Sequence, residues 1–422
     1  MNAVNPGSPR AAAGEAPVLL DVTRLVALRW TGRPANGIDR ICLAYLQYFA
    51  PRARAVVQHR GVIRVLGKSA SRRLFALLAG DRRRGIRHRL ALHLAAALAR
   101  PCRPRPNGLY LNVAHTDYDL PAHVHWIEHH GLRAVYLVHD LIPILHPDHC
   151  RPHAVRRHTG RVAAALRHGA GIIVGSAAVA RDLHAHAARL RLPCPPVALA
   201  PLAGAALPRD APPPAGDDYF LCVGTIESRK NHDLLRKVWD RMRADPGSTP
   251  PRLIIVGRWG TGVAALREAL AASQMAGGLI EIVEDCDDVA LASLMRGARA
   301  VLMPSLAEGF GLPMAEALAL GVPVIASDLP CFREVGQGIP CLLDPHDVAG
   351  WEARIVAFDR AAAQRQRRID ALRGYCPPSW DDHFDQVAPW MTTLVRVPAA
   401  DLRTGSGRPV PAGCHIDLGT AN

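Results

Sequence analysis

The sequence predicts an α/β protein made of parallel strand–helix–strand units in two successive halves, on three observations. The first is the stretch around residues 304–318. The apolar run 300–303 reads as a buried strand, Gly309-Phe310-Gly311 and Pro313 as a turn entering a helix, and 314–320 as that helix. Gly321 stops it before a second strand at 322–326. The second observation is repetition: Val- and Ile-rich runs alternate with helical stretches from Val18 onward, and the pattern restarts at Tyr219. The third is length, since 422 residues can fill two cores.

The 304–318 unit also carries chemistry. Glu308 falls in the loop at the carboxyl end of its strand, and Glu316 lies eight residues on, about one turn into the helix. Ligands of open α/β sheets sit beyond the carboxyl ends of the strands. The amides of Gly309, Phe310 and Gly311, with a helix dipole behind them, suit a phosphate. Carboxylates instead accept hydrogen bonds from vicinal hydroxyls, so the loop describes a nucleotide-sugar site. By spacing alone, a solvated Glu308 and a Glu316 that only favours the helix start stay open. In full, Glu308-Gly-Phe-Gly-Leu-Pro-Met-Ala-Glu316, continuing Ala-Leu-Ala-Leu-Gly-Val-Pro-Val-Ile-Ala-Ser327, strongly resembles the E-x7-E region of retaining family 4 glycosyltransferases of the GT-B fold.

Composition narrows the setting. No apolar run approaches the ~18 residues of a transmembrane helix. The first 16 residues lack an apolar signal core and read as a flexible extension. Ten cysteines, none in a C-x-x-C pair, fit free thiols in the cytoplasm better than disulfides or zinc. Residues 1–200 hold 29 Lys and Arg against 10 Asp and Glu, a formal +19; residues 201–422 hold 22 against 27, or −5. The basic excess peaks at 52–105, with 15 basic side chains and one acid, interleaved with Leu and Phe. That reads as a basic amphipathic segment for an anionic membrane surface, against the alternative of a solvated basic face. Sparse aromatics and the absence of a recognition motif argue against nucleic acid.

In order along the chain, 18–21 is the first strand. Val22-Thr23-Arg24 reads as a polar loop, and Gly37-Ile38-Asp39-Arg40 opens a helix to about Phe49. Strands follow at 108–113, 133–138 and 171–174. The second of these ends in His139-Asp140. The remaining histidines of 115–149 fit no single helical ligand pair and read as surface residues. Ser176 reads as a helix N-cap. Prolines at 208 and 212–214 mark a linker over 204–218. In the second half, 219–223 is a strand. Gly224-Thr225, with Arg229-Lys230 at the following helix start, could hold a diphosphate, although a solvated basic pair fits the spacing as well. Strands at 252–256 and 279–283 come next. Asp285-x-Asp287 mimics the metal motif of the GT-A fold but reads as a loop and N-cap. Residues 346–373 are helical, and Ser379-Trp380-Asp381-Asp382 begins the last helix.

The resemblance covers about 17–395. It implies two Rossmann-like domains facing a cleft: an N-terminal acceptor domain at 17–203 and a C-terminal donor domain at 219–378. A helix at 379–397 crosses back to the first domain, ahead of a mobile tail at 398–422. It implies transfer of a sugar from a nucleoside diphosphate sugar to a glycan hydroxyl with retained configuration and no required metal or other cofactor. Lys230 binds the diphosphate, together with the loops of Gly224, Thr225 and Gly309–Gly311. Some members carry an arginine where this chain has Thr225, so whether Arg229 supplies the second cation stays open. Glu308 holds the sugar, His139 meets its other face, and Glu316 takes the ribose diol. Gly37, Asp39 and Arg40 resemble the loop facing acceptor and phosphate, though Asp39 and Arg40 serve equally well as a helix-steadying pair. The family's many mannosyltransferases favour GDP-mannose as donor, and the basic N-terminal half suggests a lipid-linked glycan at the inner face of the cytoplasmic membrane as acceptor, in surface polysaccharide assembly such as lipopolysaccharide. A nucleotide-sugar-binding scaffold without activity, and an epimerase or hydrolase of the same fold, are the alternatives.

Overall fold

A computed structural model of the chain describes residues 18–80, 85–99, 102–214, 218–247, 249–260, 262–275, 278–360 and 362–396. The extension at 1–16 and the tail at 398–422 lie outside them.

Two sheets organise the chain. The first has seven strands: β1 (Val18–Asp21), β2 (Ala53–His59), β3 (Val62–Val65), β4 (Leu109–Asn112), β5 (Arg133–Val138), β6 (Gly171–Val174) and β7 (Val197–Leu199), in the order β3-β2-β1-β4-β5-β6-β7. All pairs are parallel except β2 with β3. The second has six parallel strands: β8 (Tyr219–Val223), β9 (Arg252–Val256), β10 (Ile280–Val283), β11 (Val301–Met303), β12 (Val324–Ser327) and β13 (Cys341–Leu343), in the order β10-β9-β8-β11-β12-β13. Central strands such as β5 are buried along their whole length, as expected of parallel strands covered by helices on both faces. The order in which strands are added reverses between β1 and β4 and again between β8 and β11. Each reversal opens a crevice at the carboxyl edge of its sheet. The architecture is two Rossmann-like domains, as the sequence predicts.

Two stretches differ from the sequence reading. Residues 22–24 are not a loop: a helix runs Thr23–Thr31, with Leu25 and Leu28 buried, and ends at Gly32 with φ +69°. No side chain caps its start, so the usual entry signal is missing. The basic segment 52–105 is not a free amphipathic surface element. It forms β2, β3 and the helices Lys68–Ala79 and Ile86–Leu98, and its apolar residues Leu74, Phe75, Leu78 and Leu90 are buried in the core. Arg60, Arg64, Arg72, Arg73, Arg87 and Arg89 remain exposed. Among the described residues no helix is long and apolar enough to cross a membrane.

The last helix, Trp380–Arg396, packs back on β5, β6 and β7 of the first sheet. Arg133 Nη1 donates to the Leu394 carbonyl at 2.7 Å, and Tyr45 Oη meets His383 Nε2 at 2.8 Å. Phe384 stacks on Tyr48 with ring centroids 4.0 Å apart. Gly171 is needed here, because a Cβ at that position would lie 2.6 Å from the Trp390 ring.

Candidate active site

The site is built where the loops after β8 and β11 meet, at the crevice of the second sheet. After β8 the chain turns at Gly224, whose φ of +145° suits only glycine, and Lys230 folds over it. The turn Ser228–Lys230 ends in Asn231, which adopts φ +55°. Asn231 Nδ2 donates to the carbonyls of Pro304 (3.1 Å) and Pro345 (2.9 Å), and the Leu306 amide donates to the Arg229 carbonyl at 2.7 Å. These bonds fasten the β8 loop to the β11 loop and bring Arg229 and Lys230 to Glu308.

The Glu308 side chain is buried and held by three donors. Its Oε1 accepts from Lys230 Nζ and, at 2.8 Å, from Ser305 Oγ; its Oε2 accepts from Arg229 Nη1 at 3.1 Å. Burial alone would raise its pKa. The charges of Lys230 and Arg229 outweigh burial and hold it down at about 2. Arg229 also pairs with Glu227 at 2.8 Å, and the two carboxylates raise its pKa against the effect of burial. Two cations and one carboxylate thus converge at the sheet's crevice.

The Gly-rich turn lies beside this clamp. Gly311 has φ +96° and precedes the helix Leu312–Ala319, in which Pro313 stands in the first turn. The amides of Gly309, Phe310 and Gly311 have no protein acceptor among the described residues, which leaves them available to an anion. Gly309 lies so close to the His139 carbonyl that a Cβ would overlap it, and its own carbonyl accepts from Ser176 Oγ at 2.8 Å. Phe310 is buried and lies against Gly175 of the first domain. His139 therefore sits at the loop of Glu308. Its ring is buried, Nε2 donates to the Val113 carbonyl at 2.8 Å, and desolvation takes its pKa down to about 4.

Glu316 is placed on the opposite flank. It is buried, and its Oε1 accepts from the Ala205 amide at 2.8 Å, on the segment leaving the first domain. Burial raises its pKa. Gly37 begins the helix Gly37–Phe49 and faces Leu312 across the cleft. Arg40 pairs with Asp288 of the other domain at 2.5 Å. Asp39 takes the helix-steadying role of its two readings. It is fully buried, closes a capping box with Asn36, and accepts from Arg24 at 2.7 Å and Arg33 at 2.6 Å. Thr225 is exposed in the β8 loop, with its methyl against Gly260.

Three residues that the sequence reading gives no ligand role shape the site, one of them Glu334, which the sequence marks only as a structural position of the step Glu334-Val-Gly336. Ser305 and Asn231 hold the clamp through non-local bonds that no spacing rule encodes. Glu334 reaches across the cleft and accepts from the amides of Ala177 (2.7 Å) and Ala178 (3.3 Å) at the start of the helix Ala177–Arg189, which Ser176 caps. Asp287 caps the helix Asp288–Gly297 by accepting from the Ala290 amide, and Asp285 pairs with Arg258. Among the described residues no three His, Cys, Asp or Glu side chains form a metal-sized group.

Comparison with known proteins agrees with this geometry. Residues 217–358 match the family model described as glycosyl transferases group 1. The serotype-specific mannosyltransferase WbdA of Escherichia coli is 28% identical over 281 residues, covering 62% of this chain and 34% of WbdA. The O-antigen chain mannosyltransferase RfbU of Salmonella typhimurium is 33% identical over 179 residues, 42% of this chain and 47% of RfbU. The chain thus spans between a third and a half of these relatives. Among solved structures, HepE of Anabaena in complex with UDP and glucose superposes with a TM-score of 0.61 at 15% identity, over 90% of this chain and all of HepE. The chain therefore has the GT-B fold, and its residues 217–358 are similar to the glycosyl transferases group 1 family.

Proposed function

We propose that the chain is a retaining, metal-independent glycosyltransferase that moves mannose from GDP-mannose onto a glycan in bacterial-type surface polysaccharide assembly. The convergence of Lys230 and Arg229 on Glu308 at the crevice between β8 and β11 is the observation that carries this reading. A departing diphosphate needs its growing charge stabilised. Lys230 has three donors, so it can hold phosphate while keeping Glu308. The unpartnered amides of Gly309–Gly311 add oriented dipoles, and two fixed cations take the place of a divalent ion. Glu308 is ionised and rigid, which suits a carboxylate that accepts from sugar hydroxyls. His139 is neutral and walls the site from the first domain. The leaving phosphate oxygen can take the acceptor's proton on the same face, so no protein nucleophile is required.

Mannose and polysaccharide rest on the names of the relatives, WbdA and RfbU. A lipid-linked acceptor at an anionic membrane surface rests on the exposed arginines between residues 60 and 89. The test needs no acceptor: slow hydrolysis of GDP-mannose in EDTA, followed by NMR of the anomer first released. Release of the α-anomer is expected. Release of the β-anomer, or loss of turnover in EDTA that magnesium restores, would contradict retention or metal independence respectively.

A further inference from the structure

Resting on the donor reading above, we infer that the acceptor glycan binds in a cleft of about 540 Å³ beyond the clamp, walled by Asp148, His149 and Arg151 of the first domain and Ser228, Trp259 and Arg267 of the second. The volume is that of a ligand pocket, and it accommodates a short stretch of glycan. Both domains build it, and His149 Nδ1 meets Ser228 Oγ across it at 3.1 Å.

Position distinguishes the cleft from the nucleoside end of the donor. Glu316, the partner expected for the ribose, lies within electrostatic reach of Arg40 and Asp288. None of these three lines the cleft. Ser228 is in the same turn as Lys230, and Cys150 on the cleft wall lies within reach of Arg229, Asp140 and Glu227. Asp140 in turn packs against Gly309, next to Glu308. The cleft therefore adjoins the end of the clamp where the transferred sugar sits, and a molecule attacking that sugar has to approach from there.

The lining fits a polyhydroxylated ligand. Trp259 offers an aromatic surface for sugar C–H groups, and the Arg267 guanidinium lies 5.2 Å from its ring centroid. Asp148 and Arg151 are exposed and present an acceptor and a fork of donors to hydroxyls. The Trp259 loop is locked to the clamp loop: the Ile226 amide donates to the Arg258 carbonyl and the Gly260 amide to the Ile226 carbonyl, each at 2.8 Å. Glycan held on Trp259 is thus held in fixed relation to Lys230 and Glu308.

The experiment is a saturation-transfer NMR titration of the full chain with mannotriose, maltotriose and cellotriose, with GDP and UDP affinity measured calorimetrically on the same samples. Wild type is expected to bind at least one trisaccharide. Trp259→Ala and the exposed, fold-neutral Asp148→Asn should each weaken it about tenfold and leave nucleotide affinity unchanged. The inference is overturned if neither variant changes trisaccharide binding, or if nucleotide-competent wild type binds no trisaccharide. It is also overturned if the variants lose nucleotide instead, which would place the base in the cleft. Failure of the donor reading is read separately, as wild type that binds neither nucleotide.

Discussion

Lys230 and Glu308 define the account at the scale of single residues. If Lys230 holds the diphosphate as proposed, replacing it by alanine removes a charge-assisted bond, a loss of about 1.5–3 kcal/mol. Calorimetry with the nucleoside diphosphate should show its affinity fall about ten- to a hundredfold; an unchanged affinity would remove Lys230 from the donor site. The pH behaviour of Glu308 and His139 at the crevice also follows. Glu308 is depressed to about 2, so the stability from its ionised form is present above the ordinary carboxylate range and is lost only as pH falls toward 2. Buried His139 is depressed to about 4. The unfolded chain takes up its proton near pH 6.5 and the folded chain does not, so this histidine withdraws stability as pH falls from 6.5 to 4. His123 and His383, also lowered to about 4 by burial, act in the same direction. Asp21, raised to about 6 by burial, acts in the opposite direction across part of that window. Burial lowers His115, His158 and His232 as well and raises Glu316 beside Asp21, so the lowered histidines outnumber the raised buried carboxylates; melting temperature should fall between pH 6.5 and 4.5, while donor affinity shows no titration of Glu308 there. A flat melting profile would contradict the buried neutral histidines. That Glu308, Lys230 and His139 come together was legible because each lies in the chain segment beyond a strand's carboxyl end, while a donor role for Lys230 rests on the resemblance, since its spacing fits a solvated pair as well. Ser305 and Asn231 were not, because their partners are distant in sequence or are backbone groups.

Elements explain why those residues meet. Strands β5, β6 and β8 coincide with the sequence reading residue for residue, since each is a continuous apolar run bounded by polar, glycine or proline positions. The helix Thr23–Thr31 escaped because Val22 cannot cap it, and the packing of 52–105 was not legible because a helix with a basic outer face looks the same whether its apolar face meets lipid or a sheet. The glycines carry the most specific expectation. Gly171→Ala puts a methyl against Trp390 and should lift the last helix from the first sheet. Overpacking of this kind costs about 1–3 kcal/mol, readable as a lower denaturation midpoint. A variant as stable as wild type would mean that the helix is not tightly seated on β6.

For the whole molecule, the two domains are latched across the cleft by a few polar contacts: Glu334 on Ala177 and Ala178, Arg40 on Asp288, Glu316 on Ala205 and Ser176 on Gly309. Glu334→Ala removes charged hydrogen bonds worth about 1.5–3 kcal/mol. Small-angle scattering of the nucleotide-free variant should show a larger radius of gyration than wild type, and equal radii would mean that Glu334 is no latch. None of these contacts was legible in advance, because each joins domains whose relative placement no local pattern specifies. The central claim is that the clamp of Lys230, Arg229 and Glu308 binds a nucleoside diphosphate without metal. It is tested most directly by a thermal shift of wild type and Lys230→Ala with GDP and with UDP, each in EDTA and in magnesium. At a hundred times its dissociation constant the preferred nucleotide should add about 2.7 kcal/mol of stability to wild type. The shift should be the same in both buffers and much reduced in Lys230→Ala. A shift that appears only with magnesium, or one that survives loss of Lys230, would contradict the claim.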